Sequence, residues 1–194
     1  LLPAWWGLND FFKAFADRLA AEGFVVVAPD YYNGEVATTV AEAEAMSDAL
    51  DGTWVRTLIG EALDALRGFE GMTSEKIGVI GFSLGAYLGI PLASQYADVV
   101  GAVVAFYGTT GGDLTGMRAP FLGHYAETDE FEPRENVEQF DQVLTEQGVD
   151  GTFYVYSGTG HWFFEADQPA YHAESARLAW EWTVSFLRQH LPTA

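Results

Sequence analysis

The spacing of apolar residues changes repeatedly along the chain, and these changes predict helices that alternate with short buried strands. Near the N-terminus, Asn9 or Asp10 can cap a helix that ends by Gly23, because apolar residues follow at the spacing of one helix face. Later apolar runs are uninterrupted and too short for helices, which is typical of strands buried on both faces. The apolar positions of the first helix are Phe11, Phe12, Phe15 and Leu19.

The order of these elements predicts a parallel sheet covered by helices on both faces. The predicted strands are 24–28, 76–81, 99–108, 119–126 and 151–157. The predicted helices after the first are 39–50, 53–69, a helix from Leu84 onward, 135–147 and 170–189. The sequence therefore predicts one α/β domain over residues 1–194. Pro91 falls inside the helix after Ser83 and is expected to kink it or end it early.

The composition excludes several classes of partner and chemistry. The 194 residues include 28 Asp and Glu against 9 Lys and Arg, and the formal net charge is −19 at pH 7. Such a surface repels nucleic acid and anionic membranes, and it does not steer anionic substrates. The absence of cysteine excludes disulfides, thiolate metal sites and a cysteine nucleophile. We recognise neither a signal peptide nor a membrane-spanning stretch, so a cytoplasmic location is the expectation.

A serine stands where a predicted strand turns into a predicted helix. Ser83 lies between Gly81 and Gly85 in the pattern G-x-S-x-G, directly after the apolar run 77–80. In that context the turn exposes the serine Oγ, and the glycines allow neighbouring backbone to approach closely. The sequence therefore favours Ser83 as a nucleophile, provided that the fold brings a base and an acid to it.

A serine hydroxyl needs a base to take its proton, and four histidines are candidates. His161 lies in a glycine-rich loop at the carboxyl end of a predicted strand, where functional groups of α/β sheets gather. His124 is within a strand and is expected to be packed or hydrogen-bonded in the core. His172 and His190 fall on the last predicted helix, where histidines are ordinarily solvated. The sequence therefore favours His161 as the base.

The acid that orients this histidine is sought among the carboxylates that follow the strand 119–126. Asp129 lies a few residues past the strand end and is the favoured candidate, and Glu127 is the alternative. The order Ser83, acid, His161 is the one expected for α/β-hydrolases. An acidic surface cluster is the competing interpretation of the segment AETDEFEP.

At this point the chain resembles the dienelactone hydrolase family of α/β-hydrolases over nearly its whole length. The segments that carry the resemblance are WWGLNDFFKAFADRLAAEGFVVVAPDYYNG, IGVIGFSLGAYLG, TDEFEP and GTGHWFFE. The resemblance implies an α/β-hydrolase-like fold with Ser83 as nucleophile, Asp129 as acid and His161 as base. It also implies an oxyanion hole formed by the backbone N–H groups of Leu84 and Trp5. In some members of the family the nucleophile is a serine, as here, rather than a cysteine.

The chain departs from that family in three ways. Ala4 stands where typical members have a glutamate that supports a cysteine thiolate, and a serine nucleophile has no need of it. Glu165 stands four residues after the histidine, where members acting on dienelactone have an arginine for the substrate carboxylate. We therefore expect Glu165 to repel a carboxylate substrate. The leading strands of the sheet are shortened or missing, which leaves an edge that a second subunit of a homodimer could cover.

The favoured function is hydrolysis of neutral, fairly small carboxylic esters or lactones, with no cofactor. Acyl transfer to an acceptor other than water uses the same acyl-enzyme chemistry and stays open. A catalytically silent binding protein of the same fold is the alternative from another class. Aromatic side chains are candidates for the substrate-pocket wall or for the core, namely Trp5, Trp6, Tyr31, Tyr32, Phe82, Tyr107 and Trp162.

Overall fold

A parallel sheet of four strands forms the centre of the computed structural model, which describes residues 1–191. Residues 192–194 of the predicted domain lie outside the described residues. The strands are β1 (Ile77–Phe82), β2 (Val100–Phe106), β3 (Phe121–Ala126) and β4 (Gly151–Tyr156), and they are adjacent in that order. The helices are α1 (Asp10–Ala21), α2 (Val40–Asp48), α3 (Gly52–Arg67), α4 (Leu84–Gly89), α5 (Leu92–Gln95), α6 (Arg134–Glu146) and α7 (Ala173–His190).

Helices cover both faces of the sheet, and the side chains of β2 are therefore buried on both sides. Val103 and Ala105 pack into a core formed with α3 and α6, whereas Val104 and Phe106 pack into a second core formed with α1 and α7. An interior strand of a doubly covered sheet must be apolar on both faces. The predicted α/β-hydrolase-like architecture with a parallel sheet is therefore confirmed.

The outermost strand differs from the expectation that every strand is apolar and buried. In β4 only Tyr156 is buried, and Val155 is 55% exposed. This strand pairs with β3 on one side only and so lies at the edge of the sheet, where most of its side chains are exposed or half-buried. An edge strand does not need the continuous apolar pattern of the strands inside the sheet.

The prediction of a strand at 24–28 is wrong, because this run joins no ladder of the sheet. A cavity of about 600 Å³ separates it from β1, and Phe24 to Val27 line one side of that cavity. The Val27 carbonyl accepts a hydrogen bond from the Leu1 amino group at 2.9 Å, and Leu2 forms a single parallel bridge with Gly81. An apolar run becomes a strand only where a neighbouring backbone pairs with it.

Pro91 ends the helix after Ser83 early, as predicted. Helix α4 stops at Gly89, and Pro91 caps the short α5 with a φ of −63°. Proline has no N–H to donate to the carbonyl four residues earlier, that of Tyr87. The Thr110 hydroxyl donates to that carbonyl instead, at 3.3 Å. The break in the helix is thus tied to the loop that follows β2.

Among residues 1–191, no helix combines the length and the apolar composition that crossing a membrane requires.

Candidate active site

Ser83 occupies a strained turn between β1 and α4. Its φ is +49° and its ψ is −112°, a conformation that residues other than glycine rarely adopt. The turn is fixed from both sides, because the Ser83 N–H donates to the Phe106 carbonyl at 2.9 Å and the Ser83 carbonyl accepts from Ala86 at 2.9 Å. Ser83 thus lies on a strained strand–turn–helix segment, as the sequence pattern predicts, and it lines a cavity there.

The two glycines of the motif are required by close backbone contacts. A Cβ atom on Gly81 would collide with the Gly85 carbonyl and with Ala86. A Cβ atom on Gly85 would collide with the carbonyl oxygens of Leu2 and Pro3. Gly81 therefore allows the turn itself, and Gly85 allows the N-terminal segment to cross next to it.

The structure brings Ser83, His161 and Asp129 together in one hydrogen-bonded chain. Ser83 Oγ lies 3.0 Å from His161 Nε2, and His161 Nδ1 lies 2.7 Å from Asp129 Oδ2. The side chains of His161 and Asp129 are only 5% and 4% exposed. With Nδ1 donating to the carboxylate, Nε2 is left as the acceptor that faces the serine hydroxyl.

The loop after β3 holds the Asp129 carboxylate in place. Asp129 Oδ1 accepts hydrogen bonds from the backbone N–H groups of Phe131 and Glu132, both at 2.9 Å. With these bonds in place, both carboxylate oxygens face the imidazole, Oδ2 at 2.7 Å and Oδ1 at 2.8 Å from His161 Nδ1. The carboxylate thus has a fixed orientation that does not depend on the histidine.

The alternative candidates are occupied elsewhere. Glu127 accepts from the Gly158 N–H at 2.9 Å and from Ser157 at 3.2 Å, so the structure does not bring it to His161. His124 is fully buried, with its ring nitrogens 2.8 Å from the Tyr156 hydroxyl and 3.0 Å from Thr183 Oγ1. Burial lowers the pKa of His124 to about 3. The expectation of a core histidine is confirmed.

The two remaining histidines lie at the ends of α7, away from Ser83. His172 caps the start of the helix and accepts from the Ser175 N–H at 3.3 Å, so it precedes the helix rather than lying on it. His190 ends the helix, and its ring is 4.6 Å from the ring of Phe186.

The two backbone N–H groups predicted for the oxyanion hole lie on segments that cross at Gly85. Within residues 1–191, neither the Leu84 N–H nor the Trp5 N–H donates a hydrogen bond. Leu2 holds the N-terminal segment against β1, since it donates to the Ile80 carbonyl at 2.7 Å and accepts from Phe82 at 3.1 Å. Leu84 lines the cavity beside Ser83, whereas Trp5 is not among the residues that line it.

A cavity of about 540 Å³ opens over Ser83 and His161. Within the described chain, the side chains lining it include no lysine or arginine, and the carboxylate among them belongs to Glu132. That carboxylate accepts from the Thr109 N–H at 2.6 Å and from the Thr109 hydroxyl at 3.1 Å. The other polar side chains of the lining are Tyr87, Tyr107, Thr110, Asn136 and Gln139.

The sequence identified the cavity wall poorly. Of the seven aromatic candidates, Tyr107 lines the cavity, whereas the lining residues Tyr87, Phe131 and Phe140 were not among the candidates. Trp5 lies behind Phe131, with ring centroids 5.5 Å apart, and Phe82 is stacked on Phe106 in the core at 4.3 Å. Phe131 belongs to the same segment as Asp129, which is the signal that could have identified it.

The expectation that Glu165 faces the substrate is also wrong. Its side chain is fully buried behind Tyr107, whose hydroxyl donates to Glu165 Oε1 at 2.5 Å. A series of turns over 161–164 directs it inward, away from the cavity. The carboxylate that lines the cavity within the described residues is that of Glu132.

No group of three or more histidine, aspartate and glutamate side chains in residues 1–191 is arranged to hold a metal ion.

Comparisons with known proteins identify the family of this chain. The model of the dienelactone hydrolase family matches residues 1–191. The chain is 33% identical over 201 residues to Protein usf of Aquifex pyrophilus, covering 98% of this chain and 87% of that protein. It is 29% identical over 197 residues to the "Putative carboxymethylenebutenolidase" of Aquifex aeolicus, covering 96% of this chain and 85% of that protein. A crystal structure of a dienelactone hydrolase-like promiscuous phosphotriesterase from metagenomic libraries superposes on this chain with a TM-score of 0.84 at 23% identity. The match covers 98% of this chain and 84% of that one.

Proposed function

The chain belongs to the dienelactone hydrolase family, and from this premise we propose that it hydrolyses carboxylic esters or lactones through an acyl-enzyme intermediate on Ser83. The observation that carries the proposal is the chain of hydrogen bonds from Ser83 Oγ to His161 Nε2 at 3.0 Å and from His161 Nδ1 to Asp129 at 2.7 Å. A serine is reactive near neutral pH when such a base takes its proton.

Acylation begins when Ser83 Oγ forms a bond to the substrate carbonyl carbon while its proton passes to His161 Nε2. The carbonyl oxygen becomes an oxyanion, which the N–H groups of Leu84 and Trp5 stabilise. One such donor contributes about 3 to 4 kcal/mol to lowering the barrier. The tetrahedral intermediate then expels the alcohol oxygen, which takes the proton back from Nε2.

Deacylation repeats these steps with water. His161 Nε2 takes a proton from the water as its oxygen attacks the acyl carbon, and the same two N–H groups hold the second oxyanion. Ser83 Oγ leaves with the proton from Nε2, and the carboxylic acid is released. Asp129 keeps Nδ1 protonated throughout and stabilises the imidazolium formed in each half-reaction.

The substrate is proposed to be small and uncharged. The cavity of about 540 Å³ is of the size that small-molecule sites have, and its described lining offers hydroxyl and amide groups but no cation. A substrate carboxylate there would meet Glu132 and would lose its hydration without gaining a positive partner. Uncharged esters and lactones avoid both penalties.

Steady-state hydrolysis of matched substrates tests the proposal. A panel of neutral p-nitrophenyl esters and lactones is compared with analogues that carry a carboxylate, using wild type, Ser83→Ala and Ser94→Ala. Ser94 is the control, because its hydroxyl donates to the Thr115 carbonyl outside the cavity. We expect Ser83→Ala to lower kcat by about a thousandfold or more and Ser94→Ala to leave kcat within about twofold. Full activity in Ser83→Ala would contradict the nucleophile assignment.

A further inference from the structure

The buried carboxyl of Glu165 lies directly behind the site and has no role in the chemistry proposed above. It is fully buried, its Oε1 accepts from the Tyr107 hydroxyl at 2.5 Å, and its Oε2 has no hydrogen-bond partner in the described chain. None of the ion pairs formed by residues 1–191 includes it. A buried acid without a cation is costly to the fold, and hydrogen bonding or protonation reduces that cost.

Tyr107 connects this carboxyl to the histidine of the site. The ring of Tyr107 lies 4.8 Å from the imidazole of His161, and on its other side it packs at 5.7 Å against Phe163. Its backbone is held at a φ of +39°, directly after β2. The N–H of Tyr107 donates to the His124 carbonyl at 2.8 Å. The backbone is therefore fixed, and the hydrogen bond to Glu165 fixes the far end of the ring.

The charge on Glu165 is controlled by its surroundings. Burial raises the pKa of its carboxyl to about 8, and the negative charge of Asp167 adds to the increase. The hydrogen bond from the Tyr107 hydroxyl acts in the opposite direction, and the Trp6 indole does so more weakly, from beyond the ordinary hydrogen-bond distance. Near neutral pH the carboxyl is therefore mostly protonated. The titratable groups that face it are Tyr107 and Asp167, with Asp129 and His161 on the far side of the Tyr107 ring.

We propose that Glu165 is a positioning residue of this site: through its hydrogen bond with Tyr107 it holds the tyrosine ring against the imidazole of His161. This inference rests on the proposed function, in which the imidazole must face Ser83 and Asp129 at once. Displacement of a catalytic group by about 1 Å can lower the rate by about a hundredfold. When Glu165 ionises, the hydrogen bond from the Tyr107 hydroxyl to Oε1 strengthens. The other oxygen, Oε2, then carries buried charge without a cation, and the entry of water to hydrate it displaces the Tyr107 ring from His161.

Four variants test the proposal through kcat, KM and unfolding temperature. Glu165→Leu removes the acceptor, Tyr107→Phe removes the donor, and Glu165→Gln keeps an oxygen for the Tyr107 hydroxyl. Tyr156→Phe is the matched control, because it also removes a buried tyrosine hydroxyl, the one bonded to His124 at 2.8 Å. We expect Glu165→Leu and Tyr107→Phe to lower kcat about tenfold or more with KM within about twofold, and Glu165→Gln to restore kcat. An equal loss of kcat in Tyr156→Phe would overturn the proposal.

The pH dependence adds a result that a purely structural role would not give. Wild-type kcat is expected to fall above about pH 8, and Glu165→Gln is expected to lack this fall. A fall of equal size in Glu165→Gln would contradict the proposal.

An NMR titration of the His161 ring makes the test independent of turnover. We expect the His161 ring signals of the wild type to show a step near pH 8 that reports the ionisation of Glu165, and those of Glu165→Gln to lack it. Absence of the step from the wild type would overturn the positioning inference even when turnover is normal. Presence of the step in a protein without Ser83-dependent turnover would contradict the proposed function alone.

Discussion

Replacing Glu165 with glutamine changes the stability of the protein by an amount that depends on pH. Burial raises the pKa of the Glu165 carboxyl from 4.5 to about 8 in the folded protein. Between these two values the folded protein keeps the proton and the unfolded chain has lost it. Because the unfolded state binds fewer protons there, the free energy of unfolding falls as pH rises.

The size of the effect follows from the difference between the two pKa values. One pKa unit corresponds to about 1.4 kcal/mol, so the increase from 4.5 to about 8 corresponds to about 5 kcal/mol. This penalty is absent below pH 4.5 and complete above about pH 8. Glutamine carries no charge at any of these pH values, so Glu165→Gln does not have this penalty. Relative to wild type, Glu165→Gln is therefore expected to gain about 4 kcal/mol of unfolding free energy between pH 5 and pH 9.

Urea unfolding followed by tryptophan fluorescence at about pH 5, 7 and 9 measures this gain. Glu138→Gln is the control for the loss of one carboxylate from a chain with a net charge of −19. Glu138 is exposed on α6 and pairs with Arg134, so its effect is expected to stay below about 1 kcal/mol at every pH. An equal difference between Glu165→Gln and wild type at pH 5 and pH 9 would contradict a raised pKa of Glu165 in the folded protein.

Three further substitutions give separate results. In Asp129→Asn, an amide nitrogen in place of Oδ2 turns His161 Nδ1 into an acceptor, so kcat for a neutral ester should fall by about a thousandfold or more. Retention of the wild-type kcat would contradict the assignment of Asp129 as the acid. In Gly85→Ala, the new Cβ collides with the carbonyl oxygens of Leu2 and Pro3 and should displace the Trp5 N–H, which lowers kcat at least about a hundredfold. Stopped-flow measurement of acylation checks this, and an unchanged rate would contradict the assignment of the Trp5 N–H to the oxyanion hole. Thr183→Val leaves one His124 ring nitrogen without its hydrogen bond and should lower the unfolding free energy by about 1 to 3 kcal/mol in a denaturant titration. The value of kcat should not change, and a fall in kcat would show that the hydrogen bond between His124 and Thr183 influences the active site.

Local patterns in the sequence predict much of the fold and the three polar side chains of the site. Helix α1 follows from the Asn9 cap, whose side chain accepts from the Phe12 N–H, and from three apolar residues that are buried on one face. Ser83 and His161 could be placed near each other because the carboxyl ends of parallel strands meet at one edge of the sheet. These inferences need only the periodicity of the chain and the geometry of a parallel sheet.

The features that the sequence could not predict depend on contacts between distant residues. The run 24–28 has strand-like composition, but the pairing of a strand is decided by a neighbour, and here a cavity lies between the run and β1. The position of Glu165, four residues after His161, does not reveal which way its side chain points. The turns over 161–164 bury that side chain instead of exposing it. The apolar residues Phe163 and Phe164 directly before it were the one local signal of burial.

The nucleophile assignment is tested most directly by intact-mass analysis after treatment with a fluorophosphonate probe. The probe reacts with a serine whose hydroxyl is activated by a base, and it needs no knowledge of the natural substrate. We predict one adduct on the wild type, located on Ser83 by peptide mapping and absent from both Ser83→Ala and His161→Ala. An unlabelled wild type, or an adduct that persists in Ser83→Ala, would contradict an activated Ser83.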